Sequence, residues 1–174
     1  MHSILLSGCG GAGRHVAQVA TSSGRAEVLG LFDPDSEHIT RARELYPDAA
    51  TGDDLGGLIE TISADIVVVA GPDHVHADQA ILALEGGCHV LVEKPMATTV
   101  ADAQRMIEAA DRTGLEVMAD HTVRYTYPWR EMSVAARAGE IGEVFFIEGD
   151  YIHDMWSHYS PQGANHTPWR IDKV

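Results

Sequence analysis

Apolar positions along the 174-residue chain alternate between two textures. One is a short continuous run of strand length. Such runs occupy 3–7 (Ser-Ile-Leu-Leu-Ser), 27–32, 65–70 with its Ile-Val-Val-Val stretch, 89–92 and 115–119. Continuous apolar runs, as opposed to alternating ones, mark strands covered on both faces of a parallel sheet. The other texture is helical. Val16, Ala17, Val19 and Ala20 share a helix face, and Ile39, Ala42 and Leu45 mark a second helix with Asp35 or Ser36 as its N-cap. Leu55, Leu58, Ile59 and Ile62 follow the i, i+3, i+4, i+7 spacing, and Ala77, Ala80, Ile81 and Leu84 repeat it up to Gly86-Gly87. Thr99 with Asp102 forms a capping-box pattern heading a helix that carries Val100, Ala103, Ile107 and Ala110 and ends at Gly114.

Strands alternating with helices predict βαβ units: an α/β, doubly wound parallel sheet with helices on both faces. The texture changes after about residue 121. Trp129, Met132 and Ala136 predict one more helix, stopped by Gly139, and 144–153 reads as a longer, aromatic-rich strand. Beyond Met155 there is no clear period. A boundary near 121–127 divides the chain into a first domain at 1–122 and a second segment at 123–174.

Twelve basic against twenty-six acidic side chains give a formal charge of -14. Such a surface repels phosphate backbones and anionic lipid, so nucleic acid and membrane are not expected partners. No apolar run approaches the ~20 residues that span a bilayer, and 1–6 lacks the basic region of a signal peptide. Cys9 and Cys88 stand in no paired pattern, so a reducing, cytoplasmic setting without a disulfide is expected.

Gly8-Cys9-Gly10-Gly11-Ala12-Gly13 matches G-x-G-x-x-G, and it lies where a strand turns into a helix. In a Rossmann fold the first glycine makes the tight turn, the second lets a pyrophosphate approach the backbone, and the third lets helix and strand pack closely. The helix N-terminus adds free N–H groups and partial positive charge. Asp33 ends the second strand, 20 residues after Gly13, where a carboxylate accepts from the adenosine ribose hydroxyls. It would repel a 2′-phosphate. No lysine or arginine lies among Pro34, Asp35, Ser36 and Glu37, so NAD is expected in preference to NADP.

Two further loops follow strands. One is Gly71-Pro72-Asp73-His74-Val75-His76 and the other Glu93-Lys94-Pro95. Ligands of open parallel sheets sit at the carboxyl ends of strands, so both loops point to the nicotinamide half. Lys94 is the candidate for proton transfer, because burial and a nearby cation favour a neutral amine. Judged by spacing alone, a lysine after a strand is more often a solvated loop residue, with Glu93 as its partner.

The glycine loop, Asp33, Pro72-Asp73-His74-Val75-His76 and the stretch from Ala83 through Glu93-Lys94-Pro95 resemble the Gfo/Idh/MocA oxidoreductases. Arg124-Tyr125-Thr126-Tyr127-Pro128 is similar to the family's Arg-Phe-x-x-Pro, and Gly139-Glu140-Ile141-Gly142-Glu143-Val144 extends the likeness. The resemblance implies an NAD-dependent dehydrogenase acting on a hydroxyl of a sugar, sugar derivative or cyclic polyol. It implies that Lys94 is catalytic and that Gly8, Gly10, Gly11, Ala12, Gly13, Asp33, Gly71, Pro72, His74, His76, Glu93, Lys94 and Arg124 serve the cofactor. It also implies a cis bond before Pro95. The family's second catalytic motif follows a segment like Thr167-Pro168-Trp169-Arg170-Ile171-Asp172, and this sequence stops at Val174 before it. On that basis 123–174 is expected to be the incomplete start of an α+β substrate domain, and the whole protein a homo-oligomer.

Ten histidines raise the question of a metal. His74 and His76, and the later group His153, Asp154, His158 and His166, show neither helical ligand spacing nor paired cysteines, so no metal site is expected. Trp156, Tyr159 and Trp169 suit stacking on a sugar ring, and equally suit covering a sheet face. Two other classes of function stay open beside the oxidoreductase: a non-catalytic dinucleotide-binding module, which would need no Lys94, and an interaction fragment pairing through 144–153. The 174-residue chain is expected to bind NAD, to turn over little substrate, and to self-associate through its last third.

Overall fold

A computed structural model describes residues 1–152, 154–163 and 167. They divide into two compact units, Met1–Asp120 and His121–Val174. The first unit runs β1 (His2–Ser7), α1 (Gly11–Ser22), β2 (Ala26–Phe32), α2 (Ser36–Arg43), β3 (Ala50–Thr51), α3 (Leu55–Ile62), β4 (Ile66–Val69), α4 (His76–Glu85), β5 (His89–Glu93), α5 (Val100–Thr113) and β6 (Val117–Asp120). Its six strands form one sheet in the order β3-β2-β1-β4-β5-β6, with every pairing parallel. This is the doubly wound α/β arrangement. The order reverses between β1 and β4, which leaves a crevice at the carboxyl ends of those strands.

Period-two alternation along the inner strands feeds two cores. Leu5, Val67, Val69, Val90 and Val92 face α3, α4 and α5, meeting Leu58, Ile59, Ala80, Leu84, Met106 and Ala109. Ile4, Leu6, Leu31 and Val68 face the other way, onto Ala17 of α1 and Ala42 of α2. Side chains that alternate between two covered faces are all apolar, which is why β1 and β4 read as unbroken runs. Asp35 caps α2 by accepting from the Glu37 N–H, and Thr99 caps α5 by accepting from the Asp102 N–H. Gly114, at φ +70°, ends α5.

Three expectations change. β3 has only two residues and no apolar run, so nothing in the pattern announced it. On α1 and α5, Val19, Val100 and Ile107 point outward (60%, 88% and 45% exposed), while Met106 and Ala109 are fully buried. Helix α5 packs chiefly on α4 and buries Met106 and Ala109, while the larger β-branched side chains lie outside that stripe. The third change is in the second unit. It holds a 3-10 turn at Thr122–Tyr125, α6 (Trp129–Arg137) and α7 (Trp156–Tyr159), with Gly139 at φ +77° just beyond α6. The strand expected at 144–153 does not form among the described residues: 144–152 joins no ladder, and Phe145, Ile147 and Ile152 are 96%, 83% and 89% exposed. A strand is defined by its neighbours' hydrogen bonds, and no described segment supplies them. His153, His166 and 168–174, including Trp169, lie outside the described residues.

Candidate functional site

The glycine loop turns from β1 into α1 with Gly8 at φ +96°. Its glycines answer different demands. A Cβ on Gly8 would overlap the Ala70 and Gly71 backbone, and one on Gly13 would overlap the Gly8 carbonyl. The close approach of α1, β1 and the β4 end therefore requires both. A Cβ on Gly10 would meet only His38 Cε1, at 4.0 Å, and one on Gly11 would meet nothing within 4 Å. Nothing within the chain asks for glycine at these two positions. They leave an open cradle beside the first-turn N–H groups of Gly11, Ala12 and Gly13, which no helical carbonyl can reach. A pyrophosphate fits such a cradle and such a donor set.

Asp33 borders the cradle, with its side chain only 9% exposed. Its Oδ2 accepts from the Cys9 N–H at 2.8 Å and from His38 Nδ1–H at 3.1 Å, and its Oδ1 accepts from the Asp35 N–H at 2.8 Å. Arg14 Nη1 donates to the Cys9 carbonyl at 2.6 Å, holding the loop from the other side. Neither Arg14 nor His38 stood out in the sequence. His38 is the third residue of α2, directly after Glu37. Burial, and then the negative charge of Asp33, push the Cys9 thiol up to about 12, so it packs as a neutral side chain.

The other loops lie at the ends of β4 and β5. Pro72 precedes a 3-10 turn, Asp73–Val75, on which His74 is exposed. His76 opens α4 and is 1% exposed, with Nδ1 2.8 Å from the Pro95 carbonyl oxygen and Nε2 3.0 Å from that of Gly71. Glu93 Oε2 accepts from the Lys94 N–H at 2.9 Å and stands 3.7 Å from Lys94 Nζ. The Lys94 side chain is 53% exposed, and the Lys94–Pro95 bond is cis, as is Tyr127–Pro128. The structure thus brings Gly8 to Gly13, Asp33, Gly71, Pro72, His76, Glu93 and Lys94 to one edge of one sheet. Arg124 belongs to the second unit, in the turn Thr122–Tyr125. Among the described residues no three His, Cys, Asp or Glu side chains are placed to hold a metal, and no helix is long and apolar enough to cross a membrane. An apolar cleft of about 330 Å³ opens at the amino ends of the strands, among Ile4, Val16, Ile66, Leu91 and Met118; none of the site residues lines it.

A parallel six-stranded sheet with a glycine loop at its order reversal and a carboxylate at the next strand end defines a dinucleotide-binding Rossmann domain. Residues 3–121 match the model of the GFO_IDH_MocA oxidoreductase family, NAD-binding Rossmann fold, and the chain belongs to that family. It is 32% identical over 140 residues to the 1-carboxy-3-chloro-3,4-dihydroxycyclohexa-1,5-diene dehydrogenase of Comamonas testosteroni, covering 80% of this chain and 35% of that protein. It is 33% identical over 127 residues to a glycosyl hydrolase family 109 protein of Shewanella sp. (strain W3-18-1), covering 72% of this chain and 28% of that one. The WlbA dehydrogenase of Chromobactrium violaceum, solved with NADH and UDP-GlcNAcA, superposes with a TM-score of 0.75 at 28% identity, over 83% of this chain and 42% of that one. The chain therefore spans about a third of the length of these curated relatives.

Proposed function

We propose that the chain is the dinucleotide-binding part of an NAD(H)-dependent oxidoreductase acting on a hydroxyl of a sugar, sugar derivative or cyclic polyol. The observation that carries this reading is Asp33, fixed by Cys9, Asp35 and His38 beside the open faces of Gly10 and Gly11. A carboxylate there favours a ribose diol, and placing a 2′-phosphate against it costs several kcal/mol. The ends of β2 and β5 lie three strands apart in the sheet, which is about 14 Å. A ligand laid from Asp33 across the glycine loop passes Gly71 and reaches Lys94. The nicotinamide supplies the hydride-exchanging carbon. Lys94, exposed enough to meet a substrate hydroxyl, takes or returns its proton, and the Glu93 carboxylate holds the loop by accepting from the Lys94 backbone N–H. Residues 123–174, with Arg124, are the start of the substrate domain in this reading, and the whole protein is a homo-oligomer.

A second reading, a glycoside hydrolase built on the same domain, is favoured by the 33% identity to the Shewanella protein. Fluorescence titration of the chain with NAD and NADP tests the cofactor: NAD should bind tighter, and equal or tighter NADP binding rejects the choice. In the whole protein, Lys94→Ala should lower turnover on the order of 10²-fold with NAD binding little changed. Near-normal turnover would return Lys94 to a solvated loop residue. A panel of sugars, polyols and aryl glycosides separates the two readings, since hydrolysis releases the aglycone without net reduction of NAD.

A further inference from the structure

A dinucleotide brings a doubly charged diphosphate to a chain whose formal charge is -14. A helix N-terminus offers only about +0.5 of an elementary charge. The first turn of α1 therefore leaves most of the ligand's charge unbalanced, and Asp33 and Asp35 add negative charge at the neighbouring strand end. Most arginines of this half of the sheet are placed elsewhere. Arg41 is engaged by Glu37 at 3.2 Å, Arg43 lies in the last turn of α2, and Arg25 lines the cleft at the amino ends of the strands. Arg14 is the exception. Among the described residues it is the one Lys or Arg side chain hydrogen-bonded to the glycine loop.

Arg14 is the fourth residue of α1, and helical side chains lean back over the turn before them. Its Nη1 thereby donates to the Cys9 carbonyl at 2.6 Å, at the peptide that joins Cys9 to Gly10. Among the described residues no carboxylate pairs with it, and its other N–H groups have no protein partner. The position of a Gly10 Cβ meets only His38 within 4 Å, so the guanidinium borders the cradle without filling it. A guanidinium keeps its charge across the working range of pH, and its planar fork fits two phosphate oxygens. A simple tether for the Cys9 carbonyl needs one N–H and no charge; Arg14 supplies a fixed cation without a counter-ion. We infer that Arg14 is a cofactor-binding residue that pairs with the diphosphate, the Cys9 carbonyl holding its guanidinium at the loop. The ligand's identity rests on the dinucleotide reading above; the anion preference of the loop does not.

Calorimetric titration of the 174-residue chain with NAD, NADP and ADP tests this contact. Arg14→Met keeps the apolar stem and should weaken all three by about tenfold, since each carries the diphosphate. Arg14→Lys keeps the charge and should recover part of the loss. Arg14→Gln keeps an N–H donor without the charge and should bind as weakly as Arg14→Met. Full affinity in Arg14→Gln leaves only a tether and overturns the inference, and so does a loss confined to NADP, which moves the contact to the 2′-phosphate. NAD affinity should also fall more steeply with salt in the wild type than in Arg14→Met. A second measurement uses the wild type alone if a variant does not fold. The Arg14 Nε–H signal of the ¹⁵N-labelled chain, the one arginine signal of this kind in the fragment 1–24 and otherwise identified by its loss in Arg14→Gln, should shift on adding inorganic pyrophosphate or NAD. A shift with pyrophosphate and no NAD binding keeps the anion contact and rejects the dinucleotide reading. NAD binding with an unmoved Arg14 signal overturns the inference and leaves that reading standing. Binding of neither rejects both.

Discussion

Gly10 and Gly13 are the same residue type under opposite constraints. A methyl group at Gly13 collides with the Gly8 carbonyl, which is backbone and cannot swing aside. Gly13→Ala should therefore cost about 1–3 kcal/mol of stability, read by urea unfolding. Gly10 has φ -66° and meets only His38 Cε1 at 4.0 Å, so Gly10→Ala should fold with near-normal stability. It should nevertheless lose NAD binding, because the added methyl occupies the cradle. Unaltered NAD affinity in Gly10→Ala would sink the cradle. This is also where legibility in the sequence was greatest and where it ended. The loop and Asp33 are close in sequence and set by local geometry, so their spacing could be read. The roles of Arg14 and His38 depend on side-chain rotamers reaching back over the loop, and no spacing encodes those.

At the scale of elements, strands covered on both faces were legible because burial leaves only apolar residues. β3 was not, since two edge residues carry no pattern. Helix α5 is announced by its cap, but of the expected face Val100, Ala103, Ile107 and Ala110 only the two alanines are partly covered, while Met106 and Ala109 are the buried residues; periodicity alone does not decide between the two overlapping stripes. The segment at 144–153 was misread for a different reason: composition favours a strand, and pairing decides it. The α5 cap carries a pH signature. The Thr99 hydroxyl, and then the Arg105 guanidinium, hold the Asp102 carboxyl below its ordinary 3.8. With the folded value depressed, this stabilisation is present above the unfolded value and disappears as pH falls through the folded one. Stability measured from pH 5 downward should fall less steeply in Asp102→Asn than in the wild type. Thr99→Ala should cost about 1 kcal/mol at neutral pH and flatten the same acid limb. An unchanged acid limb in both variants would remove the cap's contribution.

At the scale of the whole molecule, every buried core side chain among the described residues lies between Ile4 and Ala109, inside the first unit. A chain ended at Asp120 should unfold cooperatively and bind NAD within about threefold of the longer one, since a tenfold change would require 1.4 kcal/mol. The second unit contributes no described buried apolar residue and exposes Phe145, Phe146, Ile147 and Ile152. Light scattering should show the 174-residue chain self-associating and the 1–120 chain monodisperse. A clean monomer at 174 residues would refute that role for 144–152.

The place of β1 between β2 and β4 has a consequence for the ribosome. Its second partner lies far downstream: Ser3 bonds to Asp65, 62 residues on. At about 5–20 residues per second, roughly 3 to 12 s separate the synthesis of the two. Until β4 is made, the native neighbour available to β1 is β2, and the edge that pairs with β4 lacks its partner. A nascent chain in which β1 and β2 have emerged and β4 has not therefore has one edge of its central strand without its native partner.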